Sequence, residues 1–173
     1  MRYAEVRRHT DDDGDALTPE GVAAAEAIGR EGLRPPYAAL VSTGAARANQ
    51  MLEILRRAAG QEDLPVTEVP GLRSSVEERW REVARAAGKG AGLEAMRDLD
   101  PDLVGMESQL LGTVLRQVIE ELPEGGRALV VGHSPTNEAA VLGLTGESVG
   151  PLGKGEGVLV VESGGSYRVE PLG

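Results

Sequence analysis

The sequence predicts an α/β protein, a three-layer α/β/α sandwich with a mostly parallel central sheet. Short apolar runs alternate with stretches whose apolar residues recur at helical spacing, the pattern of strands connected by helices. The only two histidines each stand just past one of these runs, His9 after Tyr3 to Arg8 and His133 after Leu129 to Gly132. In open α/β sheets, the carboxyl ends of parallel strands are where ligands bind. The 173 residues show no internal repeat and no dividing linker, so one domain over 1–173 is expected. A chain of this length buries about 70% of its unfolded surface.

Taken in order, Tyr3 to Val6 reads as a strand that leads into an acidic loop, Asp11-Asp12-Asp13-Gly14-Asp15. Thr18 and Pro19 supply an N-cap and a first helical residue, and the helix runs through Val22, Ala25 and Ile28 to about Gly32. Ala38 to Ser42 is a second strand and Ala46 to Ala59 a helix buried through Met51, Leu52 and Leu55. Val66 to Val69, between two prolines, is a third strand. Ser75 to Ala87 is expected to be helical and is broken by Gly88-Lys89-Gly90-Ala91-Gly92. Leu103 to Leu122 makes a long helix with Met106, Leu110, Leu111, Val114, Val118, Ile119 and Leu122 on one broad face. Ala128 to Gly132 is the next strand, followed by a helix from Thr136 to Leu144. Gly157 to Glu162 and Ser166 to Glu170 form a hairpin about Ser163-Gly164-Gly165, after a flexible glycine-rich connection over 150–157.

Composition narrows the function. A net charge of −10 argues against nucleic-acid binding, which draws its affinity from clustered Lys and Arg, and Trp80 with three tyrosines offers no stacking platform. With no Cys there is no thiolate nucleophile, disulfide framework or Cys-based metal site. No apolar run approaches the roughly 18 residues that span a bilayer, so a cytoplasmic protein without a membrane partner is expected. The acidic loop lacks the closing Glu of a twelve-residue calcium loop, and no bound metal is expected. Residues 150–157 lack the Gly-Lys-Ser/Thr order of a phosphate loop. Oligomeric state is not encoded in any motif.

Three segments carry candidate chemistry. Arg8-His9 ends the first strand, and Ser42-Thr43-Gly44-Ala45-Ala46-Arg47 places hydroxyls, a glycine and an arginine at a helix start. Gly132-His133-Ser134-Pro135 ends the late strand. A helix N-terminus presents unpaired N–H groups and a positive dipole end to an anion, and arginine adds a bidentate charge. Together the segments would bring two arginines and two histidines to one point.

Arg8-His9, Thr43 to Ala48 and Gly132-His133, in this order and spacing, resemble the histidine phosphatase superfamily. The likeness is to its phosphoglycerate mutase-like branch, closest in character to short bacterial phosphohistidine and broad-specificity phosphatases. It runs from about residue 3 to residue 161, and the middle (70–125) matches only in general character. It implies a phosphoglycerate mutase-like fold and a cofactor-free phosphatase. His9 would attack phosphorus and form a phosphohistidine that water hydrolyses. Arg8, Arg47 and His133, with Thr43 nearby, would hold the phosphoryl oxygens. The implied partner is a small phosphorylated molecule or a phosphohistidine protein.

The departures from that pattern are also informative. Thr10 stands where the family usually has glycine, so either the backbone avoids positive φ or the loop is displaced. Glu5 and Arg7 interrupt a strand that is commonly apolar, and they would pair with each other or lie toward an edge. The aspartates at 11, 12, 13 and 15 would repel a second substrate phosphate, which counts against mutase activity. Arg73 and Ser74 stand about where many members carry a glutamate as general acid. Glu77 or Glu78 could take that place, although Glu and Arg at this spacing also describe a solvated helix face. A weakly active or inactive member that binds a phosphorylated ligand or partner is the alternative reading.

Overall fold

A computed structural model describes residues 1–172. Six strands form one sheet: β1 (Arg2–Arg8), β4 (Ala39–Ser42), β5 (Val66–Glu68), β6 (Arg127–Gly132), β7 (Gly157–Ser163) and β8 (Ser166–Pro171). Their order is β5-β4-β6-β1-β7-β8. The first four are mutually parallel, while β7 and β8 return antiparallel as the expected hairpin. The sheet is therefore mostly parallel, as the alternation predicts. β2 (Asp12–Asp13) and β3 (Ala16–Leu17) make a separate two-stranded ribbon inside the acidic loop.

Strand alternation sends successive side chains to opposite layers. Ala128 and Val130 join a core with Trp80 and Val83 of α3 (Glu77–Ala87), Leu93 of α4 (Leu93–Leu99), and Leu103, Leu111 and Leu115 of α5 (Pro101–Glu120). Val141 of α6 (Thr136–Thr145) closes that layer. Leu129 and Val131 face Ala25 of α1 (Pro19–Glu31) and Met51, Leu52 and Leu55 of α2 (Ala46–Ala58). Valine-rich β6 is buried on both faces because a helix layer covers each side of the parallel part of the sheet.

Three expectations change. Met106 and Leu110 are about half exposed, not part of the buried face of α5. That stripe runs through Leu103, Val104, Glu107, Ser108, Leu111 and Leu115. Residues 106 and 110 each lie one position off it, turned by about 100°. The sequence also hides α4, whose buried side consists only of Leu93 and Met96 between a glycine run and Pro101. Its end coincides with the start of α5, where the Asp100 carboxylate accepts from the Leu103 N–H at 3.2 Å.

The third change concerns residues 150–157, which are bonded to the strand ends and are not a loose connection. Gly155 N–H donates to the Arg8 carbonyl (3.0 Å), Arg8 donates to the Leu152 carbonyl (2.8 Å), and Arg7 donates to the Gly155 carbonyl (3.0 Å).

Glu5 and Arg7 do pair, in the sheet interior and away from any edge. Arg7 Nε donates to Glu5 Oε2 at 2.7 Å with both residues buried. Tyr37 Oη donates to the other carboxylate oxygen at 2.9 Å, and burial beside Glu5 pushes the Tyr37 phenol pKa up. A buried charge pair persists only when its remaining donors and acceptors are met. Arg7 meets that condition through the Gly155 and Gly32 carbonyls.

Candidate active site

β1, β4 and β6 end side by side, and a cavity of about 260 Å³ opens at their carboxyl ends. Arg8, His9, Asp12, Arg47 and His133 line one side, and Arg73, Ser74, Glu77, Trp80 and Arg81 line the other. The parallel register explains the convergence. Arg8 pairs with Gly132 and Ser42 with Val131, so the residues just beyond emerge together.

The His9 ring is held at both nitrogens. Nδ1 lies 2.8 Å from the Thr10 carbonyl, which can only accept, and Arg47 Nε donates to Nε2 at 3.3 Å. Those partners assign the proton to Nδ1 and leave the lone pair on Nε2. Burial lowers the His9 pKa below its ordinary 6.5, against the opposing pull of the Thr10 carbonyl and Asp12. The His133 ring stands edge-on to it with centroids 5.2 Å apart, and its Nε2 is 2.8 Å from Thr43 Oγ1. Burial, with Arg47 and His9 close by, takes His133 down to about 3. Both imidazoles are therefore neutral near pH 7. The fixed positive charge of the cage comes from Arg8 and Arg47.

Local sequence builds this geometry. α2 begins at Ala46 with no side-chain cap and no acidic residue in its first turn, which leaves its N-terminus free to act on an anion. α6 likewise starts at Thr136 without a side-chain cap. Gly132 is required by close approach, since a β-carbon there would fall 2.4 Å from Asn137 Oδ1. Asn137 Nδ2 donates to the Arg7 carbonyl at 3.0 Å and ties the end of β1 to α6. Thr10 keeps a negative φ and is fully buried. Gly155 makes room for it across the loop: at φ +80° it lacks the β-carbon that would lie 3.2 Å from the Thr10 methyl.

The acidic loop enters the cage itself. Asp12 lies 3.8 Å from His9 Nδ1 and 4.0 Å from Arg47 Nε, and Lys154 bridges Asp11 and Asp12 at 2.9 and 3.2 Å. Sequence reasoning placed these carboxylates at the entrance and missed the balancing lysine, which is 142 residues away from Asp12.

The two carboxylates suggested as general acids part company. Glu77 lines the cavity, but Arg73 donates to it at 2.5 Å and holds its carboxyl pKa below the usual range. Glu78 is not among the lining residues. It is largely exposed and pairs with Arg81 and Arg85.

Sequence reasoning also overlooked two serine–glutamate pairs. Ser74 Oγ donates to Glu107 of α5, and Ser134 Oγ donates to Glu138 of α6. Both serines line the cavity and both glutamates are buried. Only Glu107's place beside Ser108 on a helix face, a polar pair inside an apolar stripe, could have signalled the first. Among the described residues no group of three or more His, Asp or Glu is placed to hold a metal ion, and no helix is long and apolar enough to cross a membrane.

This is a three-layer α/β fold with two arginines and two histidines gathered at its parallel strand ends. No protein-family model matches the chain, and no curated protein is significantly similar to it in sequence. Solved structures are similar. A phosphoglycerate mutase from Bacillus anthracis str. Sterne superposes with a TM-score of 0.74 at 20% identity, covering 98% of this chain and 92% of that one. A phosphoserine phosphatase from Entamoeba histolytica, solved with 3-phosphoglyceric acid, gives 0.72 at 16% identity over 98% and 95%. The putative phosphohistidine phosphatase SixA from Agrobacterium tumefaciens gives 0.57 at 18% identity, again over 98% and 95%. These neighbours are phosphoglycerate mutase-like histidine phosphatases, and the chain has their fold.

Proposed function

We propose that the protein is a phosphatase of the histidine phosphatase superfamily that hydrolyses a phosphomonoester or phosphohistidine through a covalent phosphohistidine on His9. The observation that carries this reading is the two-sided hold on His9. Its Nδ1 proton is committed to the Thr10 carbonyl, so a neutral ring offers the Nε2 lone pair beside Arg47. The Nε2–phosphorus bond forms as the bond to the leaving group breaks, and water then displaces His9 in the reverse sense. Arg8, Arg47, neutral His133 and the open N-terminus of α2 supply donors and charge to the phosphoryl oxygens. Two arginines supply charge that a bound cation supplies in other phosphoryl-transfer sites, so turnover is expected to be metal-independent. The partner is a small phosphorylated molecule or a phosphohistidine protein, and the aspartates beside the cage disfavour a second phosphate and hence mutase chemistry.

One observation supports a second reading, a weakly active protein that binds a phosphorylated ligand. Asp12 sets a carboxylate within 4.0 Å of Arg47, where it competes with phosphate. Phosphate release from p-nitrophenyl phosphate by wild type and His9→Ala, with acid-quenched wild type analysed for a phosphoryl adduct on the His9 peptide, separates the two. Turnover and an adduct that are both lost in the variant are expected. A folded wild type that binds vanadate without turnover or adduct would establish the second reading.

A further inference from the structure

Arg8 can hold a phosphoryl oxygen in one place only if its own guanidinium is fixed from behind. Its Nη1 donates to the Leu152 carbonyl at 2.8 Å. Leu152 is held in turn at its other polar group, because its N–H donates to Glu138 Oε2 at 3.4 Å. The same carboxylate oxygen accepts from the Ser134 hydroxyl, four residues earlier and directly after His133. Glu138 stands in the first turn of α6 and is only 2% exposed. One buried carboxylate therefore bonds both the residue that anchors Arg8 and the turn that carries His133.

Glu138 and Arg8 are also joined electrostatically. Among the described residues, Arg8 Nε, a donor, and Glu138 Oε1, an acceptor, are buried with no hydrogen-bond partner, a state that few buried polar atoms keep. Neither atom is committed elsewhere, and the charge of Arg8 is felt at Glu138. Burial pushes the carboxyl pKa up, and the bonds from Ser134 and Leu152 together with Arg8 pull it back. Arg47 is held differently, by His9, the Gly14 carbonyl and Asp12. The other buried glutamate near the cavity, Glu107, bonds Ser74 and Trp80 of the facing wall.

Resting on the phosphatase reading, we infer that Glu138 is the positioning residue of Arg8, fixing its guanidinium through Leu152 and by direct attraction so that it meets the phosphoryl group already in place. Glu138 touches neither the substrate nor the reacting atoms and acts on them through Arg8. The donors of a guanidinium lie in one rigid plane, so a shift of its anchor moves all of them together. A misplacement of about 1 Å can cost about 100-fold in rate.

The test is a double-mutant cycle between the two residues. kcat/KM for p-nitrophenyl phosphate and the dissociation constant of vanadate are measured for wild type, Glu138→Gln, Arg8→Ala and the double variant, with urea unfolding alongside. Glu138→Gln keeps the volume and an acceptor oxygen but removes the charge. It is expected to lower kcat/KM and weaken vanadate binding about tenfold in the wild-type background and under about twofold in Arg8→Ala, because residues that act through one contact are non-additive. A loss of the same size in both backgrounds, or no loss in either, would overturn the inference while leaving the phosphatase reading intact. If Glu138→Gln does not fold, Glu138→Asp, which keeps the charge and draws the carboxylate back by one methylene, enters the same cycle under the same criterion. Wild type that binds vanadate without turnover would overturn the phosphatase reading, and the cycle read on vanadate would still decide the role of Glu138. Wild type that neither turns over nor binds vanadate would overturn both.

Discussion

The two walls of the cavity are made differently. The cage wall consists of strand ends whose positions are set by the parallel register of β1, β4 and β6, and its histidines and arginines are tied to backbone carbonyls and to one another. The facing wall consists of the first turns of α3 and the segment before it, where Arg73, Glu77 and Arg81 form exposed ion pairs along one helix face. Exposed pairs of this kind contribute about 0–1 kcal/mol each. The cage therefore has one geometry, which under the proposed function meets the phosphoryl group common to all candidate substrates. The ion-paired Arg73, Glu77 and Arg81 of the facing wall can be altered at little cost to the fold, unlike the buried Trp80 beside them, and under the proposed function that is where a leaving group would be distinguished.

The largest effect should come from beneath the cage. Glu5→Ala leaves the buried Arg7 without its ion-pair partner and is expected to cost about 3–5 kcal/mol, read from urea unfolding. A loss under 1 kcal/mol would mean that the cage is not braced by this pair. Next, Arg47→Ala should lower kcat by about 10²–10³ with p-nitrophenyl phosphate while the protein stays folded, because it removes charge from the transferring phosphoryl group. A change confined to KM would assign Arg47 to binding alone.

The pH dependence sharpens the same contrast. In the proposed mechanism His9 attacks as a neutral ring, and its pKa is lowered from 6.5, so kcat/KM should hold level from pH 8 to 6.5 and fall only at more acidic pH. The stability sign is the same. His133 binds its proton near pH 6.5 unfolded but only near 3 when folded, so between those values the unfolded chain holds more protons. Stability is therefore lost as pH falls through that window, and His133→Gln should flatten the slope seen in urea midpoints. On the facing wall, Glu78→Gln should leave kcat and stability unchanged within error. A marked loss of kcat would bring Glu78 into the chemistry despite its exposure. Chelation with EDTA should leave turnover unaltered, and a loss restored by a divalent cation would contradict the metal-independent reading.

The sheet was legible in sequence because β-strands and helices bury apolar residues at different periods, and β6 and the hairpin at Ser163-Gly164-Gly165 have clear ends. α5 was legible as a helix but not in its rotation. Met106 and Leu110 carry the same apolar signal as Leu111, and only packing against α6 and the sheet decides which of them is covered. α4 was not legible, because a helix of seven residues with two buried positions leaves almost no periodicity to read.

For the site, the sequence by itself determined the cage residues. Arg8, His9 and His133 stand at strand ends and Arg47 in the first turn of the helix after one, while Thr43 is buried against His133 and does not line the cavity; a strand's end is set locally by where its apolar run stops. Only the tertiary structure decided the rest. Lys154 against Asp12, Gly155 against Thr10, and Glu107 behind Ser74 join residues from distant parts of the chain. Sequence carries no measure of such distances. Whether a charged residue is solvated, paired or buried behind a reactive wall depends on what the fold brings against it, and that same contact sets its charge state and its chemistry.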